Sequence, residues 1–195
     1  MVEKNLFIHI PKTAGFSVSK LEGIVYSGHT PALLLLFKYG KEYFESSFKF
    51  TIARNPYDRA LSTYFYFRKM RPEHRFWHLD RSVALAIQQL DSFASYCENL
   101  EELIALHKKV HFRPQLFFIT INDRLYVDYI ARFETLGRDW ATIADKIGVA
   151  SQLPHLNSSS HRPWSTYYTE QERRIVHDLY REDFEALGYR SAIAP

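Results

Sequence analysis

The stretch FIHIPKTAGFSVSK, residues 7–20, decides the fold that the sequence predicts. An apolar, β-rich run ends in Pro-Lys-Thr-Ala-Gly, and helix-forming residues follow from Gly15. A strand, a tight turn and a helix in this order point several backbone N–H groups at one place, and Lys12 adds a positive charge there. The pattern predicts a phosphate-like anion in the turn, with hydroxyl groups from Thr13 and Ser17. A plain turn with a surface lysine is the alternative that the sequence leaves open.

A second motif, ARNPYDRALSTYF, repeats this logic where the next predicted strand ends. Asn55 is a good N-cap, Pro56 suits the first helical position, and Arg54 leaves the strand just before them. An arginine fork and the hydroxyl of Ser62, two turns into the helix, make a suitable clamp for a terminal phosphate. Arg59 shares a helix face with Ser62, so it could bind the same anion or form a structural ion pair.

The order of elements along the chain alternates between strands and helices. Strands are predicted at residues 5–10 and 48–53 and within 125–133, and helices at 15–21, 29–39, 56–70, 135–147 and 169–187. Residues 82–107 are expected to be mostly helical, with breaks that the sequence does not place. Residues 71–81 are expected to form an exposed excursion, and 153–166 a polar loop. This alternation implies an α/β fold with a parallel sheet covered on both faces. The length of 195 residues predicts a single domain spanning 1–195.

The amino-acid composition limits the kinds of ligand and the cellular environment that the sequence predicts. A net charge of +3 suits an anionic small molecule and does not call for nucleic acid. The only cysteine, Cys97, excludes an internal disulfide and a thiolate zinc cluster, and indicates a reducing compartment. The longest apolar run, ALLLLF at 32–37, is too short to cross a membrane. The expectation is a soluble, cytoplasmic protein with no membrane span.

Together the two motifs resemble those of sulfotransferases that use 3′-phosphoadenosine 5′-phosphosulfate (PAPS), nearest to the carbohydrate sulfotransferase branch. PKTAGFS resembles their 5′-phosphosulfate loop and RNPYDRALSTY their 3′-phosphate motif; weaker likeness in HFRPQ, RFETLGRDW, LPHLNSSSH and DLYREDFEALGY covers most of the chain. The resemblance implies a P-loop-NTPase-like three-layer domain, with a central parallel sheet flanked by helices. It also implies transfer of a sulfuryl group from PAPS to a saccharide hydroxyl, with 3′,5′-ADP (PAP) as product and no metal.

The resemblance also assigns roles to individual residues. Lys12 would be catalytic, in contact with the bridging oxygen of the phosphosulfate. Arg54 and Ser62 would hold the 3′-phosphate, and a late loop would close over the nucleotide. The donor-binding residues it implies are Lys12, Thr13, Ala14, Gly15, Phe16, Ser17, Arg54, Ser62, Ser160 and Arg162.

The acceptor hydroxyl needs a base, and histidine suits neutral pH. His29 resembles the base of glycan 2-O-sulfotransferases in its place between the two motifs, with a structural histidine as the alternative. His111 is the second candidate, as base or as a substrate contact. Arg71 and Arg75 belong to a basic excursion that could bind an anionic glycan or could simply be a solvated charged segment.

Two other functions fit part of the pattern. A nucleotide or nucleoside kinase with a divergent phosphate loop would need a magnesium-binding acid after a strand, and no convincing aspartate stands there. A non-catalytic nucleotide- or RNA-binding module would tolerate loss of the base. The modest charge and the absence of an RNA-binding signature argue against that module.

Overall fold

The computed structural model describes residues 5–149, 153 and 162–193. Their strands β1 to β6 are, in order, Asn5–Phe7, Ile24–Tyr26, Phe48–Ala53, Thr120–Ile121, Arg124–Leu125 and Tyr129–Arg132. Their helices α1 to α11 are Gly15–Val18, Ala32–Tyr39, Lys41–Ser46, Pro56–Arg68, Trp77–Gln88, Phe93–Glu98, Leu100–His107, Leu116–Ile119, Leu136–Ile147, Glu170–Leu179 and Arg181–Ala186. Short 3₁₀ turns occupy Val110–Phe112, Phe133–Thr135 and Trp164–Thr166.

Internal contacts divide the chain into two compact units. The first comprises Met1–Arg54 and Pro114–Ser158, and the second comprises Asn55–Arg113 and Ser159–Pro195. The boundary falls inside the second motif, directly after Arg54. The prediction of a single domain over 1–195 stays a prediction.

The first unit is built on a parallel four-stranded sheet in the order β2-β1-β3-β6. Each neighbouring pair runs parallel, with Phe7 opposite Phe50 and Ala53 opposite Arg132. The predicted α/β fold with a central parallel sheet flanked by helices is confirmed. Because the strands are parallel, the residues that follow β1 and β3 leave the sheet at the same edge.

One face of this sheet is covered by α9. Phe50 and Ile52 of β3 pack with Trp140 and Ile143, and all four side chains are fully buried. The helix ends as the sequence predicts, with Gly148 in the left-handed conformation that a side chain disfavours (φ 68°). This packing gives the strands that lead to the motif residues a rigid support.

The second unit is a helical assembly around α4. The predicted cap is confirmed, since the Asn55 side chain accepts a hydrogen bond of 2.9 Å from the backbone N–H of Tyr57, and Pro56 opens the helix. The capping box of Thr169 and Glu172 at the start of α10 is also confirmed. The buried core combines residues of α4, α5, α6, α7, α10 and α11, namely Tyr57, Leu61, Phe67, Val83, Ile87, Tyr96, Leu100, Val176 and Phe184.

Some element boundaries follow the predictions and others differ from them. The breaks expected within 82–107 fall between α5 and α6, where Ser92 caps α6 through the Ser95 N–H, and at Asn99, which separates α6 from α7. Helix α5 begins at Trp77, inside the predicted excursion, since buried Asp80 forms an ion pair of 3.0 Å with Lys109. The last predicted helix, 169–187, is broken at Tyr180 into α10 and α11.

No helix within the described ranges is long and apolar enough to cross a membrane.

Candidate functional site

The loop between β1 and α1 is held in an unusual backbone conformation. Lys12 and Ala14 both have positive φ, at 71° and 64°. The left-handed region disfavours non-glycine residues, so surrounding contacts must hold the loop there. One is the Thr13 hydroxyl, which donates to the Ile10 carbonyl at 2.8 Å. Left-handed residues among right-handed ones turn successive backbone N–H groups toward one side, which is a common anion-binding arrangement.

Arg54 holds the same loop from the end of β3. Its side chain is 4% exposed, and its Nη1 donates to the Lys12 carbonyl at 3.0 Å. The guanidinium lies 4.1 Å from the centre of the Phe133 ring, a cation–π contact. The Lys12 loop and the residue that follows β3 are therefore joined by a direct hydrogen bond.

Gln115 fixes the backbone of Arg54 and was not identified from the sequence. Its side-chain oxygen accepts a hydrogen bond from the Arg54 N–H at 2.9 Å, and its Nε2 donates to the Arg54 carbonyl at 2.8 Å. Gln115 is fully buried. Arg54 follows the last residue of β3. The Gln115 amide forms hydrogen bonds with both the N–H and the carbonyl group of Arg54, as a neighbouring strand would.

Lys12 and Arg54 bring two positive charges together. Burial, and then the charge of Arg54, lower the pKa of the Lys12 amino group from its ordinary 10.5 to about 8. Both causes disfavour the charged lysine, and an anion beside it would favour that form. The electrostatics of this corner therefore suit an anionic ligand.

The other predicted residues of the loop differ in their surroundings. Gly15 and Ser17 are buried, whereas Phe16 is exposed and its ring contacts Lys20. The Ser17 N–H donates to the Ala14 carbonyl at 3.0 Å. In this conformation the Thr13 proton and the Ser17 N–H are thus engaged within the loop.

Two histidines lie beside the loop. His9 is buried and shares a hydrogen bond of 2.6 Å with the Tyr26 hydroxyl through Nδ1. The rings of His9 and His29 have centroids 4.3 Å apart. The candidate base His29 therefore belongs to the first unit, and through His9 it is in contact with the surroundings of the loop.

The remaining predicted site residues belong to the second unit. Ser62 is buried on α4, and His111 packs its ring on Tyr66 with a centroid distance of 5.1 Å. Arg71, Arg75 and Arg162 are exposed. Ser160 lies outside the described residues, and its predicted role stays a prediction.

Arg59 is a structural residue of the second unit. It is 1% exposed, and its Nη2 donates to the Arg113 carbonyl at 2.8 Å. The Asp183 carboxylate lies 4.0 Å from the same nitrogen, and the Tyr180 ring is 5.1 Å from the guanidinium carbon. These contacts favour the ion-pair alternative that the sequence left open for Arg59.

Comparison with known proteins identifies the family. A family model described as Sulfotransferase family matches residues 34–190, which is most of the chain. The chain belongs to the sulfotransferase family. No curated protein and no solved structure gives a significant match.

This sulfotransferase is therefore an enzyme that transfers sulfuryl groups. The matched region contains Arg54 and Ser62 but begins after the Lys12 loop and His29. The roles of Lys12 and His29 consequently rest on their geometry and on the motif resemblance. Among the described residues, no group of three or more His, Cys, Asp or Glu side chains is placed to hold a metal ion.

Proposed function

We propose that this sulfotransferase transfers the sulfuryl group of PAPS to a hydroxyl of a saccharide, without a metal ion. The observation that carries the proposal is the corner formed by Lys12 and Arg54, where two cationic side chains and a loop of left-handed residues follow neighbouring parallel strands. A donor with two separated phosphate groups suits such an edge. A P-loop-NTPase-like three-layer arrangement and a cytoplasmic location are part of the proposal.

Lys12 acts on the leaving group. The acceptor oxygen forms a bond to sulfur while the bond from sulfur to the bridging oxygen breaks, and that oxygen leaves with the electron pair on 3′,5′-ADP. The negative charge that grows there is stabilised by the Lys12 ammonium group. With a pKa of about 8, Lys12 is mostly protonated at neutral pH, and the bound anion strengthens that state.

His29 is the proposed base that takes the proton of the acceptor hydroxyl. Its support is that it stacks on His9, a residue next to the loop, within the same unit as Lys12. His111 is the alternative, and its ring packs on Tyr66 in the second unit. Arg54 is proposed to hold the 3′-phosphate, while Ser62, Ser160 and Arg162 remain predicted donor contacts.

The proposed acceptor is a saccharide. The likeness of the motifs to the carbohydrate branch supports a saccharide, and exposed Arg71 and Arg75 offer positive charge for an anionic one. His111 would serve as a further substrate contact. The proposed partners include no nucleic acid.

The test uses PAPS carrying labelled sulfur, a panel of saccharides, and excess EDTA. We expect label to appear on a saccharide in the presence of EDTA, because Lys12 and the loop amides replace a metal. His29→Ala should lower turnover about 10²- to 10⁴-fold, the usual contribution of a general base. A strict magnesium requirement with ATP as donor would favour a kinase, and an inactive His111→Ala beside an active His29→Ala would assign the base to His111.

A further inference from the structure

His9 is tied to the end of β2. Its Nδ1 shares a hydrogen bond of 2.6 Å with the Tyr26 hydroxyl, and its backbone N–H donates to the Ser27 hydroxyl at 3.2 Å. The residue itself is only 6% exposed. The hydrogen bond at Nδ1 fixes the rotation of the imidazole about its own axis, since a ring flip would remove it.

The Cδ2 and Nε2 atoms of the His9 ring lie against the loop at Gly15. A Cβ atom added at Gly15 would stand 2.0 Å from Cδ2 and 2.1 Å from Nε2 of His9. Real Cβ atoms essentially never approach other heavy atoms so closely, so only glycine fits while the ring stays in place. The start of α1 is therefore seated directly on the imidazole of His9.

The same imidazole also contacts other rings. The His29 centroid is 4.3 Å away at an interplanar angle of 39°, and the Phe7 centroid is 5.6 Å away at 22°. His9 is thus in contact both with the loop, at Gly15, and with the ring of His29. A change in its size or rotation must alter the distance between the loop and His29.

We propose that His9 is a positioning residue that holds the His29 imidazole at its working distance from the Lys12 loop. The inference rests on the proposed role of His29 as the base. A base must stand within hydrogen-bond reach of the hydroxyl it deprotonates, and a displacement of about 1 Å can lower the rate about 10²-fold. His9 acts through His29 and the loop, and does not touch the reacting atoms itself.

The first measurement compares His9→Phe and Tyr26→Phe with the native enzyme. His9→Phe keeps a flat ring between Gly15 and His29 but loses the hydrogen bond to Tyr26. Turnover, followed as release of 3′,5′-ADP with the saccharide acceptor or with water, should fall about 10- to 100-fold. The donor KM should stay near its native value, and Tyr26→Phe, which adds no atom beside Gly15, should also keep a melting temperature near the native one, which a merely structural role would not produce.

Tyr26→Phe removes only the hydroxyl from a residue that is 38% exposed, so it carries the test if His9→Phe does not fold. It should lower turnover in the same direction, and the double variant should be no worse than His9→Phe, because both changes remove the same bond. Tyr39→Phe is the matched control, since it removes the hydroxyl of another tyrosine of the same unit, one that stacks on Tyr43. That control should retain native turnover.

The second measurement places His9→Phe in a His29→Ala background. If His9 acts through His29, the substitution should cost nothing further there. An equal loss in both backgrounds, or native turnover of both His9→Phe and Tyr26→Phe, would overturn the inference alone. Native turnover of His29→Ala would instead overturn the proposed base, and the positioning role with it.

Discussion

Arg54 and Arg59 belong to one short stretch of sequence, yet the structure uses them in different ways. Both residues are buried, 4% and 1% exposed, and each side chain donates to a backbone carbonyl. Arg59 also lies near the Asp183 carboxylate and the Tyr180 ring in the second unit. Arg54 lies beside a second cation, Lys12, in the first unit.

The difference shows that burial alone does not identify a binding arginine. A buried arginine near a carboxylate has an opposite charge supplied by the fold, and its removal is mainly a matter of stability. An arginine that lowers the pKa of a neighbouring lysine adds to a positive potential, which an anionic ligand can offset. We therefore propose a stabilising role for Arg59 and a donor-binding role for Arg54.

The largest effect is expected from Arg59→Ala, which leaves the fully buried Asp183 carboxylate without this cation. Breaking a buried pair in this way should lower the free energy of unfolding by about 3–5 kcal/mol. Unfolding by denaturant measures this loss of unfolding free energy. Arg174→Ala is the control, because the Arg174–Glu170 pair is exposed on α10 and its loss should cost within about 0.5 kcal/mol. Equal losses in the two variants would remove the structural assignment of Arg59.

Arg54→Ala tests the proposed contact between Arg54 and the 3′-phosphate of the donor. It should erase the preference of the protein for 3′,5′-ADP over 5′-AMP, a loss of about 1.5–3 kcal/mol for a charge-assisted contact. Calorimetric titration with both nucleotides gives the two affinities. Arg138→Ala, which removes an exposed arginine of the same unit, should keep the preference. A native protein that binds both nucleotides equally would refute the 3′-phosphate role.

A smaller loss of stability is expected from Gly15→Ala. This variant tests whether the loop that Arg54 holds packs closely on the His9 ring. The added methyl group would overlap the His9 ring, and such overpacking should destabilise the protein by about 1–3 kcal/mol. Gly137→Ala on α9 is the matched control, since a Cβ there meets no atom within 4 Å. It should be neutral or slightly stabilising in thermal unfolding. Similar melting temperatures for the two variants would contradict the close contact between Gly15 and His9.

The sequence predicts the features that depend on neighbouring residues. The Asn55 cap, the Thr169 capping box and the Gly148 stop are local signals, and the structure confirms all three. The parallel sheet follows from the alternation of apolar runs with helical periodicity. Strand β2 was missed, because its three residues are partly exposed and carry no long apolar run.

The interactions that assemble the candidate site join residues that are far apart in the sequence, so no local sequence pattern predicts them. Gln115 bonds to Arg54 across 61 positions, and an isolated glutamine after a proline has many possible roles. The positive φ values of Lys12 and Ala14 were likewise not predictable, because non-glycine residues seldom adopt them. A glycine seated on a histidine becomes visible only when the ring position is known.

The sharpest test of an anion site at Lys12 and Arg54 is the pKa of Lys12, measured by NMR on protein with labelled lysine side chains. We predict a value of about 8 in the free protein, against an ordinary 10.5, because burial and Arg54 disfavour the charged form. Binding of 3′,5′-ADP should raise this pKa, so the complex takes up a proton near pH 8 and the affinity falls as the pH rises through that value. Arg54→Ala should raise the pKa of the free protein. An ordinary pKa near 10.5 that 3′,5′-ADP leaves unchanged would contradict the account.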